Sequence, residues 1–173
     1  MVEVRTANPD DAAAIAHVYI ETWQNTYAGT LPDRVLVGMS RQRHKNSWQS
    51  AIRGQRESVL VAEQAGQIVG VGSCGPCRTR SLGFGGEVFT LYVLPDYQNQ
   101  GIGRRLVIGL FQRLIDRGFT SALIWVLAAN PSRFFYENMG GKRVGERDER
   151  LWGTVLHEIA YGWSDLEETV RTA

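Results

Sequence analysis

Glu87-Val88-Phe89-Thr90-Leu91-Tyr92-Val93-Leu94-Pro95-Asp96-Tyr97-Gln98-Asn99-Gln100-Gly101-Ile102-Gly103-Arg104 is the stretch on which the fold turns. Its first eight residues are rich in β-branched and aromatic side chains and read as a strand, which Pro95-Asp96 stops. From Arg104 onward Leu106, Val107, Leu110, Phe111, Leu114 and Ile115 make one helical stripe, with Arg105, Gln112, Arg113 and Asp116 opposite and Gly118 as the stop. Between strand and helix, free N–H groups and the positive end of the helix dipole converge, and an anion can sit there. Gly101 and Gly103 let backbone approach phosphate oxygens and adopt positive φ. A dinucleotide fingerprint would need a third glycine where Leu106 stands, and a P-loop would need Gly-Lys followed by Ser or Thr. NAD and ATP folds are therefore disfavoured, and another phosphate-bearing ligand is not.

Downstream of the helix, Ala122 to Leu127 fits a buried strand, so strand, helix and strand form a right-handed parallel crossover. A short helix from Ser132 to Met139 ends at Gly140-Gly141. Strand-like runs follow at Lys142 to Glu146 and Thr154 to Tyr161, joined by the charged turn Arg147-Asp148-Glu149-Arg150. Upstream, Ser58 to Glu63 and Gln67 to Ser73 are β-rich runs around Gln64-Ala65-Gly66, which is hairpin chemistry. Val2 to Arg5 reads as a first strand. Asn8-Pro9-Asp10-Asp11 reads as a helix start, with Asn8 capping, Pro9 at the first position and the aspartates on the positive dipole end. That helix runs to about Tyr27, a turn at Gly29 to Asp33 opens a short helix at Pro32, and a third helix covers Arg41 to Ile52. The order predicts an α+β fold: a central mixed, mostly antiparallel sheet with one parallel crossover and helices on both faces, in one domain spanning residues 1–173.

The segment Leu91 to Pro95 followed by Tyr97 to Gly103 resembles the central motif of GNAT N-acetyltransferases, Gln/Arg-x-x-Gly-x-Gly/Ala. Asn130-Pro131-Ser132-Arg133-Phe134-Phe135-Tyr136-Glu137-Asn138-Met139-Gly140-Gly141 looks like the family's second motif. The resemblance covers nearly the whole chain. It implies acetyl-CoA as co-substrate, bound where the two parallel strands splay. The pantetheine amides would pair near Leu91, Tyr92 and Val93, and the pyrophosphate would lie on Gln98, Asn99, Gln100, Gly101, Ile102, Gly103 and Arg104. Asn130 matches the residue that bonds the pantetheine arm, one position closer to Tyr136 than in many members, and Arg133 is in reach of a CoA phosphate. Gln98 replaces the arginine some members carry, which leaves the backbone amides as the main anion site. Acyl transfer to an amine needs a free amine, an oxyanion donor and a proton for the departing thiolate. Glu87, fourteen residues before Gly101, stands where some members place the general base, and Tyr136 matches the tyrosine that protonates the thiolate. Trp23 and Tyr27 fall in the helical region that covers the acceptor, where aromatic walls suit an apolar or cationic amine.

The implied reaction is direct acetyl transfer to a primary amine of a small molecule or a protein N-terminus, and a homodimer is compatible with it. The competing readings are a non-catalytic acyl-CoA sensor of the same fold and an oxidoreductase built on Cys74 and Cys77. The second cysteine is followed by a turn-rich loop rather than the helix that would stabilise a thiolate, which argues against redox work. His17, His44 and His157 lack ligand spacing, so no metal is expected. The net charge of +1 without a basic block gives nucleic acid no electrostatic source of binding. No apolar run approaches the roughly 20 residues that span a bilayer. No membrane partner is expected, and with no signal pattern at the N-terminus a cytoplasmic location is the default expectation.

Overall fold

The computed structural model describes residues 1–173. Its strands are β1 (Val2–Thr6), β2 (Ser58–Gln64), β3 (Gln67–Pro76), β4 (Gly86–Val93), β5 (Ala122–Leu127), β6 (Lys142–Leu151) and β7 (Thr154–Trp163). Its helices are α1 (Ala12–Tyr27), α2 (Asp33–Val37), α3 (Arg41–Gly54), α4 (Ile102–Asp116), α5 (Arg133–Asn138) and α6 (Leu166–Thr172). All seven strands lie in one sheet, ordered β1-β2-β3-β4-β5-β7-β6. Only β4 and β5 are parallel, as the α4 crossover between them requires.

The apolar stripe of α4 seats Leu106, Leu110, Phe111 and Leu114 fully buried against the sheet. Close approach depends on Gly72, where a Cβ would stand 2.7 Å from Leu110 Cδ1. Along β3 the side chains alternate faces, and Val71 opposes Tyr92 across the β3–β4 ladder. Tyr92 meets Tyr19 of α1 edge-on at 5.2 Å, so α1 covers the face opposite α4.

The crossover strands pair over three positions only, Gly86 with Ala122, Glu87 with Leu123 and Val88 with Ile124. At that point Cys74 opposes Val88 while Ser73 opposes Thr90, which leaves Phe89 as an extra residue in β4. A bulge bends its strand and increases the local twist, so β4 swings away from β5 here. Beyond Val88 the β5-facing edge of β4 is unpaired, and its N–H and C=O groups face the opening.

Two local expectations are corrected. Arg147-Asp148-Glu149-Arg150 is not a turn but the continuation of β6, paired with residues 155–158 of β7. The reversal is Trp152-Gly153, with φ of 52° and 77°, the geometry of a two-residue hairpin loop. Edge strands tolerate charge, and Arg147 finds Glu158 across the ladder at 2.6 Å. The terminal helix α6 was not foreseen. Asp165 caps it by accepting from Glu168 N–H, and the fully buried Leu166 anchors it in the core around α4.

Candidate active site

α4 begins at Gly101, whose φ is 78°. Nothing lies within 4 Å of a Cβ built there, so glycine is required for the left-handed backbone rather than for room. Asn99, at φ 59°, is left-handed as well. Residues alternating in this way curl successive N–H groups into an anion-binding concavity. The first helical bond closed on this turn is Arg105 N–H to Gly101 C=O, so the amides of Ile102, Gly103 and Arg104 have no partner within the helix. The Gln98 side-chain amide donates to the Val93 carbonyl at 3.0 Å and ties the loop to the strand end.

The splay of β4 from β5 and the start of α4 open into one cavity of about 690 Å³. Of the residues expected from sequence, Tyr27, Leu91, Tyr92, Val93, Gln98, Asn99, Gly101, Gly103, Arg104, Asn130 and Tyr136 line it. Arg104 is the only charged side chain in the wall, and it is cationic. An unpaired strand edge, a ring of free amides and one guanidinium suit a polyanion with an amide-bearing arm, which is the chemistry of an acyl-CoA.

Tyr136 sits on α5 with its ring stacked on Tyr161 at 6.2 Å and edge-on to Trp163 at 6.4 Å. Both partners belong to β7 and fasten the α5 region: Tyr161 O–H donates to Glu137 at 2.8 Å, and Trp163 Nε1–H donates to the Met139 carbonyl at 2.9 Å. Burial, with Tyr27 nearby, pushes the Tyr136 phenol well above its usual range, so it holds its proton at neutral pH.

Other expected residues stand elsewhere. Ile102 is buried in the core, so only its backbone is available to an anion at this turn. Gln100 turns away to donate to the Asp96 carbonyl. The Arg133 guanidinium lies over the Phe134 ring. Trp23 is half-buried outside the cavity wall, stacked on Tyr19, tilted against Tyr27 and edge-on to Trp152. Glu87, expected as the general base, also stands apart from the cavity. It is 1% exposed and is not part of the cavity wall. Its carboxylate accepts the Arg78 backbone N–H at 2.9 Å and the Arg78 guanidinium at 2.7 and 3.2 Å. It lies four residues from Leu91, about 13 Å along an extended strand.

Sequence reasoning missed Thr22, Thr26, Pro131, Ser132, Phe135 and Asn138 among the lining residues. Thr22 and Thr26 are one helical turn apart on α1, so the helix pitch from Trp23 and Tyr27 was the signal that could have found them. The thiols are remote from this chemistry. Burial pushes Cys74 up to about 12 and raises Cys77 too, and neither opens a helix. His157 lies on the exposed hairpin, bonded to Asp148 and Glu146. No helix is long and apolar enough to cross a membrane.

A model of the acetyltransferase (GNAT) family matches residues 14–140. Over 166 residues the chain is 33% identical to an uncharacterised N-acetyltransferase, YuaI, of Bacillus subtilis (strain 168), covering 96% of this chain and 95% of that protein. It is 32% identical over 118 residues to the L-amino acid N-acyltransferase MnaT of Escherichia coli (strain K12), covering 68% and 65%. The structure of YncA from Salmonella typhimurium with its cofactor acetyl-CoA matches at a TM-score of 0.73 and 22% identity, over 96% of this chain and 94% of that one.

Proposed function

The chain belongs to the acetyltransferase (GNAT) family and is an acyl-CoA-dependent acetyltransferase that uses acetyl-CoA; on that premise we propose an acceptor and a proton path. The acceptor is a primary amine, on a small molecule or a protein N-terminus, with an apolar substituent beside it. The observation that carries this reading is the cavity wall itself: on the α1 side it offers Thr22, Thr26, Tyr27 and Tyr92, and it contains no carboxylate. A polyamine would bring several charges into a wall with no counter-charge, whereas a single amine with an apolar neighbour matches it. The name of the relative MnaT, an amino acid acyltransferase, points the same way.

Acetyl-CoA supplies an acyl group on a thiol leaving group. Ile102, Gly103 and Arg104 hold its pyrophosphate by backbone N–H, Arg104 adds charge, and the free edge of β4 at Leu91 to Val93 orients the pantetheine arm. The amine attacks directly, and its surplus proton leaves through water, since no carboxylate lines the wall. Tyr136 donates its phenolic proton to the departing sulfur. Burial keeps the phenol protonated until the sulfur departs, and the proton that the amine releases to water restores the phenol afterwards.

Acetyl-CoA consumption across a panel of amino acids, short peptides, aromatic amines and polyamines tests the acceptor. Turnover is expected with a monoamine bearing an apolar group, and least with spermidine-like polyamines. The reverse order sinks the acceptor class. Acetyl-CoA binding with no turnover on any amine favours the sensor reading.

A further inference from the structure

Tyr27, the last residue of α1, is 5% exposed and packs with Leu31, Leu36, Leu127 and Leu156, where α1, α2, β5 and β7 meet. Its hydroxyl accepts a hydrogen bond from Asn130 Nδ2 at 3.1 Å, across 103 positions of chain. Asn130 Oδ1 accepts the Ser132 N–H at 2.9 Å. A backbone donor on one side and a phenol on the other leave a single orientation for the amide, with oxygen toward Ser132 and nitrogen toward Tyr27. Both residues line the cavity, so the second Nδ2–H is the hydrogen-bond donor Asn130 has left to offer.

We propose that Tyr27 is a positioning residue: by holding the Asn130 amide it fixes the one free N–H that meets a carbonyl of the pantetheine arm, and it thereby ties the acceptor-side helix to cofactor affinity. This rests on the reading that acetyl-CoA fills the cavity with its arm along Asn130. It adds cofactor positioning to the acceptor-side place that the sequence and the cavity wall give Tyr27. Burial raises the Tyr27 phenol, so it stays protonated and remains a neutral acceptor for Asn130. Coupling of this kind is reciprocal: an acceptor that displaces Tyr27 weakens acetyl-CoA by the factor by which acetyl-CoA weakens that acceptor.

A double-mutant cycle tests it, with acetyl-CoA Kd by calorimetry as the readout and the unliganded Tm measured beside it. Tyr27→Phe keeps the ring on Trp23 and in the apolar cluster, and is expected to raise Kd about 3- to 10-fold, the size of one hydrogen bond. The KM for acetyl-CoA should rise with it while kcat holds. Asn130→Ala should weaken binding at least as much, and in that background Tyr27→Phe should add nothing. Asn130→Asp keeps the bond to Ser132 while removing both N–H donors, so it should match Asn130→Ala even if the alanine variant loosens the turn. Additive losses, or a Tyr27→Phe effect confined to Tm, overturn the coupling and leave the cofactor site standing. Unchanged Kd in both Asn130 variants overturns the coupling together with the placement of the pantetheine arm.

Discussion

Arg78 reaches Glu87 with three donors, one of them its own backbone N–H, and so fastens the loop after β3 to the start of β4. Removing the charge from a carboxylate 1% exposed breaks a pair of which only the acid is buried. The arginine, at 65% side-chain exposure, stays hydrated, so the loss falls below that for two buried partners. Glu87→Gln is expected to cost about 2 kcal/mol of stability in denaturant unfolding. Its kcat/KM should stay within about tenfold of the parent, less than removing a general base costs, with an unchanged pH profile. A larger deficit that shrinks as pH approaches the free amine's pKa near 10 would return Glu87 to the role of base. The role proposed for Tyr136 is the opposite one, donation of a proton. Tyr136→Phe should lower kcat by about 10- to 100-fold with acetyl-CoA binding retained, and the deficit should shrink with thioesters of better leaving groups. A deficit equal for all donors would show that the phenol packs rather than protonates.

At the scale of elements, α5 carries Tyr136 on a platform supplied by β7. Gly141 closes it: a Cβ there would stand 2.7 Å from Trp163 Cζ2 and 2.8 Å from the Tyr136 carbonyl oxygen. Trp163 is itself held by its bond to Met139, so it has little freedom to yield. Gly141→Ala should therefore destabilise by about 1–3 kcal/mol and depress kcat through a displaced α5. A variant as stable and active as the parent would mean that the segment relaxes freely. The start of α4 responds differently. Gly101 has open space around it but a left-handed backbone, so Gly101→Glu strains the turn and sets an acid among the amides proposed to receive the phosphates. Acetyl-CoA binding should vanish with the fold kept, as circular dichroism and calorimetry together would show. Retained affinity would move the phosphate site elsewhere.

For the whole molecule, a ligand that binds only the folded state must raise its Tm. At about 100 times its Kd, acetyl-CoA adds roughly 2.7 kcal/mol, a shift of roughly 5–10 °C for a chain of this length. NADH and ATP should shift it much less at the same concentration, and a larger shift with either would contradict the family's cofactor in this cavity. Period-two runs, the α4 stripe, Asn8 as a cap and the Gly101-Ile102-Gly103 turn were legible in the sequence, because each is a local relation between neighbours that sets backbone dihedrals and amide directions. The charged run at residues 147–150 misled for the same reason: in isolation it has turn chemistry, and only pairing with residues 155–158 of β7 makes it strand. Glu87 reads as a base by its offset from Gly101, yet its partner Arg78 arrives from a loop whose path no spacing encodes. Residue types and their spacing thus determined the fold class and a glycine turn suited to an anion, and the resemblance to the GNAT family added the identity of the cofactor. The tertiary structure alone decided where β4 leaves β5, which carboxylate is already engaged and that Tyr27 meets Asn130, because those outcomes depend on which distant side chains the packed core brings within hydrogen-bonding distance.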